Sequence, residues 1–169
     1  VQYCQGIREI VVDLSSYSRS AKSDSSEMVD VGSTIEDAQR LVERTADVSG
    51  VDISMDTDGD LTMQARTTEI AQVFVNLLRN AVEAVRDEEP AGGGRVDVRA
   101  GRGIDHIWVT VQDNGVGIPE EVRNRIFDPF YTTKPPGKGT GLGLNVVYRI
   151  VTKYRGTICL DEGVSEGTG

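Results

Sequence analysis

Residues 112–144 read Q-D-N-G-V-G-I-P, then E-E-V-R-N-R-I-F-D-P-F-Y-T-T-K-P-P-G-K, then G-T-G-L-G-L. This stretch holds four of the chain's five prolines and two glycine-rich segments, named here the first glycine box (residues 113–117) and the second glycine box (residues 139–144). Regular helices and strands do not tolerate that density of glycine and proline. Because a long loop inside a compact domain usually carries function, we predict that residues 118–138 form a lid hinged at both boxes.

The composition excludes some classes of protein. The 169 residues include 27 acidic and 18 basic side chains, which give a net charge of −9 and argue against general nucleic-acid binding. An anionic ligand would therefore need a metal ion or a few placed lysines. No apolar run is long enough to span a bilayer. The chain begins without Met, so we expect a fragment, and we expect no membrane contact within it. Its two isolated cysteines, Cys4 and Cys159, suit a reducing compartment such as the cytoplasm. A membrane anchor elsewhere in the parent protein stays open.

A heptad pattern at residues 1–22 predicts a single helix of the coiled-coil type. A helix this short is marginal alone, so it needs a partner helix from this chain or from a second copy, or else the surface of its own domain. A linker rich in Ser and Asp follows, and we place a domain boundary between residues 1–24 and 25–169. The apolar heptad positions are Tyr3, Ile7, Ile10, Leu14 and Tyr17.

The rest of the chain predicts mixed secondary structure. Apolar periodicity predicts helices at residues 33–48, 67–88 and 141–154. Period-two alternation predicts strands at residues 28–31, 51–57, 61–63, 95–100, 107–111 and 157–161. A capping box is expected to open the first helix with Ser33 as N-cap, and Asp58-Gly59 predicts a two-residue hairpin turn. The fold class is α+β, with helices covering one face of a mixed sheet.

Two amide side chains stand out in the predicted helix at residues 67–88. Asn76 and Asn80 lie four residues apart on one face, with Gln72 and Glu83 on the same stripe. Asn is unfavourable in a helix interior because its amide competes for backbone hydrogen bonds. Amide oxygens are hard ligands that suit Mg²⁺, which takes waters and phosphate oxygens as its other ligands. Considered alone, the pair is explained at least as well by a solvated helix face.

Asp113 continues the core-facing alternation of the strand predicted at residues 107–111. A carboxylate on that side is costly unless it has a partner, and Gly115 and Gly117 allow a ligand to approach the backbone closely. An acceptor on the floor of a pocket can bind the exocyclic amine of adenine. The other interpretation is an ordinary D-N-G turn.

The second glycine box opens the third predicted helix. Gly139, Gly141 and Gly143 leave backbone N–H groups accessible at a helix start, where the dipole favours anions. Lys134 and Lys138 are the nearest basic residues and could contact phosphates. The box lacks the preceding strand of a dinucleotide-binding fingerprint and the Gly-Lys-Ser/Thr of a P-loop, so this pattern alone is weak evidence.

Four motifs occur together in the order of one family: N-L-L-R-N-A from Asn76, D-N-G-V-G-I-P from Asp113, F-D-P-F from Phe127 and G-T-G-L-G-L from Gly139. Over about residues 30–169 the chain resembles the catalytic and ATP-binding domain of two-component sensor histidine kinases. That domain belongs to the GHKL superfamily, shared with gyrase, MutL and heat-shock chaperone ATPases. The resemblance implies a Bergerat-type α/β sandwich, and the N-terminal segment resembles the end of the family's dimerisation helix.

The resemblance also implies ATP and Mg²⁺ as ligands and a role for each motif. Asn76 and Asn80 would hold Mg²⁺, and Asp113 would bind the adenine amine. Catalysis would depend on positioning and charge neutralisation, with Asn76, Lys134 and Lys138 as the catalytic set. The implied ATP-binding residues are Asn76, Asn80, Asp113, Gly115, Gly117, Ile118, Phe130, Thr140, Gly141, Leu142, Gly143 and Leu144.

One position separates kinases from hydrolases within the superfamily. Gyrase-like ATPases carry a Glu one helical turn before the metal-binding Asn, and this chain has Asn76 there. Since an amide cannot act as a base, transfer of the γ-phosphoryl group to a histidine is favoured over hydrolysis. His106 lies next to the strand predicted at residues 107–111 and lacks the sequence surround of an acceptor, so the acceptor is expected on a dimerisation domain largely absent from this fragment.

Several alternatives stay open at this point. The chain could be a GHKL-type ATP hydrolase, a serine kinase, or a nucleotide-binding dimerisation module without catalysis. For a histidine kinase, the implied partners are the receiver domain of a response regulator and a second copy bound through the N-terminal helix.

Overall fold

The computed structural model describes residues 26–88, 90, 92–135 and 139–160. The predicted N-terminal helix, the boundary near residue 24 and Lys138 lie outside these ranges, so they stay predictions. Among the described residues, no helix is both long and apolar enough to cross a bilayer. The elements are β1 (Glu27–Asp30), α1 (Val31–Thr45), β2 (Val51–Asp58), β3 (Thr62–Ala65), α2 (Thr67–Glu88), β4 (Gly94–Arg102), β5 (Ile107–Asp113), a 3-10 turn (Glu120–Val122) and α3 (Gly143–Lys153).

The main sheet is mixed, as the sequence predicted. Its strand order is β2-β4-β5: β2 pairs with β4 in parallel, and β4 pairs with β5 antiparallel. β1 and β3 form a separate antiparallel pair. The parallel β2–β4 pair requires a crossover connection, which β3 and α2 supply. The α+β fold class is therefore confirmed.

The three helices pack on one face of the main sheet. Val96, Val98 and Ala100 of β4 point to this face and are buried beneath α2. α2 contributes a continuous apolar stripe, and α1 and α3 both contact it. The other face is polar, with Arg95 and Arg99 exposed. Burial of this apolar area stabilises the layer of helices on the sheet by roughly 25 cal/mol per Å².

An ionic cluster joins the beginning of α2 to the end of α3. The carboxylate of Glu69 accepts hydrogen bonds from Lys153 Nζ at 2.7 Å and from the Tyr154 hydroxyl at 2.7 Å. The same hydroxyl accepts from the backbone N–H of Arg66 at 2.9 Å, immediately before α2. At the opposite end, Gly143 at the start of α3 lies near the middle of α2. The two helices therefore run in opposite directions, and the cluster fixes one end of their contact.

Helix α1 begins earlier than the capping box predicted. Asp30 is the N-cap, and its Oδ1 accepts from the backbone N–H of Gly32 at 2.9 Å and of Ser33 at 3.4 Å. Ser33 lies in the first turn and donates its hydroxyl to the Asp30 carbonyl. The prediction of Ser33 as N-cap is wrong because Asp is an equally good cap three residues earlier.

The predicted hairpin at Asp58-Gly59 is also wrong. Gly59 has a φ of +83°, as a tight turn requires, but the strands on its two sides belong to different sheets. β2 pairs with β4, and β3 pairs with β1. The residues Asp58-Gly59 predict a sharp turn of the backbone, but they do not determine which strands pair, because pairing depends on distant segments.

The strand predicted at residues 157–161 is not formed over residues 157–160, and Asp161 lies outside the described residues. The predicted alternation in burial is present, since Ile158 and Leu160 are half-buried and Cys159 is exposed. Ile158 packs against the core. Alternating burial alone does not create a strand, because a strand also needs a neighbour for its backbone hydrogen bonds.

Candidate functional site

The two amides on α2 meet the second glycine box. Asn76 and Asn80 are both half-buried in the middle of α2. A Cβ built on Gly143, the first residue of α3, would lie 3.5 Å from Asn76 Oδ1 and 3.8 Å from Asn80 Nδ2. The fold therefore brings together two motifs that are more than 60 residues apart in sequence.

The chemistry of this donor set fits Mg²⁺. Within the part of the chain that the structure describes, no group of three His, Cys, Asp or Glu side chains could hold a metal ion. Asn76 and Asn80 supply neutral, hard amide oxygens. Mg²⁺ is typically held by one or two protein oxygens together with waters and phosphate oxygens. A bound cation here would complete its coordination with waters and phosphate oxygens.

Asp113 closes β5 on the side that faces the helices. Its register partner is Val96, which is fully buried on that side. Asp113 is half-buried, and its Oδ1 accepts a hydrogen bond from the backbone N–H of Gly115 at 3.0 Å. A carboxylate has about four acceptor sites, so this bond leaves capacity for a ligand amine. The predicted orientation toward the core side is present.

The first glycine box is pressed against α2. A Cβ on Gly115 would lie 2.4 Å from the Ala84 carbonyl carbon and 2.6 Å from the Val85 nitrogen. Val116 then donates its backbone N–H to the Ala84 carbonyl at 3.3 Å. Asp113 is thereby fixed beside α2, one turn beyond Asn80. Gly117, with a φ of +68°, begins the departure of the chain toward Ile118, which is 37% exposed.

The second glycine box packs against the lid. Gly141 has a φ of +66°, and a Cβ there would lie 2.4 Å from the Phe130 carbonyl carbon. Thr140 Oγ1 accepts from the backbone N–H of Leu142 at 3.3 Å. Leu142 is the N-cap of α3 and makes no side-chain capping bond. The half-buried Leu144 completes a helix start whose backbone N–H groups suit an anion.

The N-terminal part of the lid is tied to α3 by a residue that the motif did not identify. Asn145 in the first turn of α3 donates its side-chain amide to the Phe127 carbonyl at 2.8 Å. The rings of Phe127 and Tyr148 lie 5.7 Å apart. Phe130 has a φ of +64° and is 71% exposed, so it is among the least enclosed of the predicted ATP-binding residues.

Lys134 of the lid reaches α2. Its ammonium forms an ion pair with Glu83 Oε2, and Glu83 Oε1 lies 3.4 Å from Arg79 Nε. Glu83 follows Asn80 by three residues, on the stripe that Asn76 and Asn80 share. That spacing is visible in the sequence, whereas its pairing with the lid is not. The other predicted lid lysine, Lys138, lies outside the described residues.

Comparisons with known proteins agree with this geometry. Residues 65–169 match the protein family described as "Histidine kinase-, DNA gyrase B-, and HSP90-like ATPase". Sporulation kinase A of Bacillus subtilis (strain 168) is 38% identical over 143 residues, which cover 84% of this chain and 22% of that relative. The chain therefore spans about a fifth of the length of this relative.

Solved structures of histidine kinases share the fold. The mycobacterial sensor histidine kinase MprB aligns with a TM-score of 0.69 and 28% identity, covering 84% of this chain and 89% of that one. Histidine kinase ThkA, solved in complex with the response regulator protein TrrA, aligns with a TM-score of 0.64 and 29% identity, covering 89% of this chain and 41% of that one. The chain belongs to the family of histidine kinase-, DNA gyrase B- and HSP90-like ATPases, as a catalytic and ATP-binding domain of the sensor histidine kinase type.

Proposed function

We propose that this domain binds Mg-ATP and transfers the γ-phosphoryl group to a histidine on a dimerisation domain of the same protein. The observation that carries the proposal is the meeting of Asn76 and Asn80 with Gly143 at the start of α3. That arrangement puts hard oxygen ligands for a divalent cation beside backbone N–H groups suited to phosphates. Family membership supports ATP as the nucleotide.

Each motif then has one task. Asp113 binds the adenine amine, and the two glycine boxes let the nucleotide approach the backbone between β5 and α3. Asn76 and Asn80 would hold Mg²⁺, which supplies charge neutralisation to the triphosphate. Lys134 and Lys138 would neutralise charge on the γ-phosphate. The remaining ATP-binding residues proposed are Ile118, Phe130, Thr140, Leu142 and Leu144.

The side chains on α2 favour phosphoryl transfer over hydrolysis. Asn76 occupies the position one helical turn before Asn80 and has no basic group to activate water. An amide at this position supports transfer to an external acceptor.

The complex of the similar kinase ThkA with the response regulator TrrA supports a receiver domain as the downstream partner of the parent protein. We also propose that residues 1–24 belong to a dimerisation helix that pairs with a second copy, and that residues 25–169 form the catalytic domain. A domain that uses ATP in this way would work in the cytoplasm, where ATP is available.

Phosphotransfer to a separate acceptor tests this function. The domain is mixed with the His-bearing dimerisation domain of its parent protein and γ-labelled ATP, and acid-labile label on the acceptor is measured. We expect transfer by the unaltered chain, and losses of about 10- to 100-fold for Asp113→Ala and Asn80→Ala because each removes a charge-assisted contact or metal ligand. Asp87→Ala, an exposed change on the same helix, should retain transfer. An unlabelled acceptor, or unchanged rates in both site variants, would contradict the proposal.

A further inference from the structure

The carboxylate of Glu83 contacts cations from two different parts of the fold. Its Oε2 is paired with Lys134 of the lid, and its Oε1 lies 3.4 Å from Arg79 Nε on the preceding turn of α2. The Lys134 side chain is only 27% exposed and that of Glu83 is 36% exposed, so the pair is partly shielded from water. Such pairs are screened less than those on an open surface.

The second glycine box holds the aliphatic part of Lys134 from the other side. A Cβ on Gly139 would lie 3.2 Å from the Lys134 Cδ and 2.8 Å from Thr132 Oγ1. Thr132 Oγ1 also accepts from the backbone N–H of Lys134 at 3.1 Å. Lys134 is therefore located between the second glycine box and the α2 stripe of Asn76, Asn80 and Glu83.

We infer that Glu83 is a positioning residue that holds the Lys134 ammonium beside the phosphate site and yields it to the γ-phosphate of ATP. This inference rests on the proposed function, because it requires a triphosphate at the second glycine box. A phosphate competes well for the ammonium, since it offers charged acceptor oxygens. Arg79 lowers the free-energy cost of moving Lys134 from Glu83 to the phosphate, because the Glu83 carboxylate retains a neighbouring cation when Lys134 leaves.

The exchange has a consequence for affinity. In the nucleotide-free protein, Lys134 is already paired with Glu83. Breaking that pair costs free energy, which reduces the net contribution of Lys134 to Mg-ATP binding. Replacing Glu83 by Gln removes this competition and should tighten Mg-ATP binding, but only while Lys134 is present. A general electrostatic effect of the lost charge would tighten binding whether or not Lys134 is present.

A double-mutant cycle separates these two cases. Calorimetric Kd values for Mg-ATP are compared for the unaltered chain, Glu83→Gln, Lys134→Met and the double variant, with Glu88→Gln at the exposed end of α2 as the matched control. We expect Glu83→Gln to lower the Kd by about threefold and to leave it unchanged in the Lys134→Met background. An equal effect in both backgrounds, or weaker binding by Glu83→Gln, would overturn the inference.

Hydrogen exchange without nucleotide provides a second readout that does not depend on ATP binding. Peptides covering residues 131–135 should exchange about threefold faster in Glu83→Gln and in Lys134→Met, with no further increase in the double variant. Unchanged exchange in Glu83→Gln would show that Glu83 does not hold the lid, whatever the nucleotide affinity. The unaltered chain could show this pattern of hydrogen exchange and yet bind no Mg-ATP. In that case the proposed function would fail, and the Glu83–Lys134 ion pair would be a structural contact that does not transfer Lys134 to a phosphate.

Discussion

The side chain that Gly115 lacks determines where Asp113 lies. The backbone of Gly115 approaches the Ala84 and Val85 backbone of α2 so closely that a Cβ would overlap both. Its N–H also donates to the Asp113 carboxylate. Glycine at this position therefore serves both the packing of β5 on α2 and the orientation of the acidic side chain.

Replacing Gly115 by Ala should destabilise the domain. A Cβ 2.4 Å from the Ala84 carbonyl carbon forces the backbone of the first glycine box away from α2, and overpacking of this kind costs about 1–3 kcal/mol. Urea denaturation measures the free energy of unfolding. Gly92→Ala is the control, because a Cβ there meets nothing within 4 Å. Equal stability of the two variants would mean that the close contact at Gly115 is not formed in solution.

A candidate site residue could be predicted when its signal lies in a few neighbouring residues of the sequence, and could not be predicted when its function depends on a distant residue. Asp113, Asn76 and Asn80 could be selected as candidates from the sequence because each belongs to a short motif with unusual local composition. Glu83 was visible on the same helical stripe, but the role proposed for it depends on Lys134, 51 residues away. Asn145 carries no local signal, since its partner is the carbonyl of Phe127, a backbone group that every residue has.

At the level of elements, the contact between α2 and α3 determines the distance between the Asn76 and Asn80 amides and the second glycine box. The cluster of Glu69, Lys153 and Tyr154 fixes this contact at the end far from the site. Burial alone would raise the pKa of the Glu69 carboxyl, but the hydrogen bonds from Lys153 and Tyr154, together with the charges of Lys153 and Arg66, lower it below its ordinary value of 4.5. Burial, followed by the hydrogen bond to Glu69, raises the pKa of the Tyr154 hydroxyl.

Acid should therefore weaken the α2–α3 contact. Because the pKa of Glu69 is lower in the folded than in the unfolded chain, its stabilising effect is complete above pH 4.5 and is lost as the pH falls through the folded pKa. Between pH 6 and about pH 3.5, the free energy of unfolding should fall further in the unaltered chain than in Glu69→Gln. Glu121→Gln, at an exposed position, should behave like the unaltered chain. Identical acid dependence in all three proteins would exclude a role for this carboxylate.

Elements differed in how far the sequence could define them. The bounds of α2 were predicted to the residue, because a 22-residue apolar stripe is a strong and repeated signal. The hairpin at Asp58-Gly59 was wrong because its turn residues are compatible with any sharp reversal, while β2 pairs with β4 more than 40 residues later. The start of α1 was predicted three residues too late, because both Asp30 and Ser33 are suitable N-cap residues and the structure uses Asp30.

For the whole molecule, α2 is the common support of the site. Gly115 contacts it at Ala84, Gly143 at Asn76 and Asn80, and the lid at Glu83. α2 also packs on the sheet, on α1 and on α3. A ligand bound by these groups would therefore bridge segments that belong to the core of the fold.

Mg-ATP should accordingly raise the melting temperature of the whole domain. At a ligand concentration of about 100 times Kd the gain is about 2.7 kcal/mol, which corresponds to roughly 5–10 °C for a domain of this size. Chelation of Mg²⁺ with EDTA should remove most of this gain, and Asp113→Ala should show little shift under either condition. A melting temperature that ATP leaves unchanged in the unaltered chain would contradict the site.

The segment that contains the lid begins and ends beside the same helix, α2. Its two ends contact α2 at Ala84 and at Asn80, four residues apart and thus about 6 Å along the axis. The entropy lost in closing a flexible loop grows only with the logarithm of its length, so doubling that length costs about 0.6 kcal/mol. We therefore expect the fold to accept an insertion between the two glycine boxes at a small cost in conformational entropy, because α2 holds both ends of this segment in place.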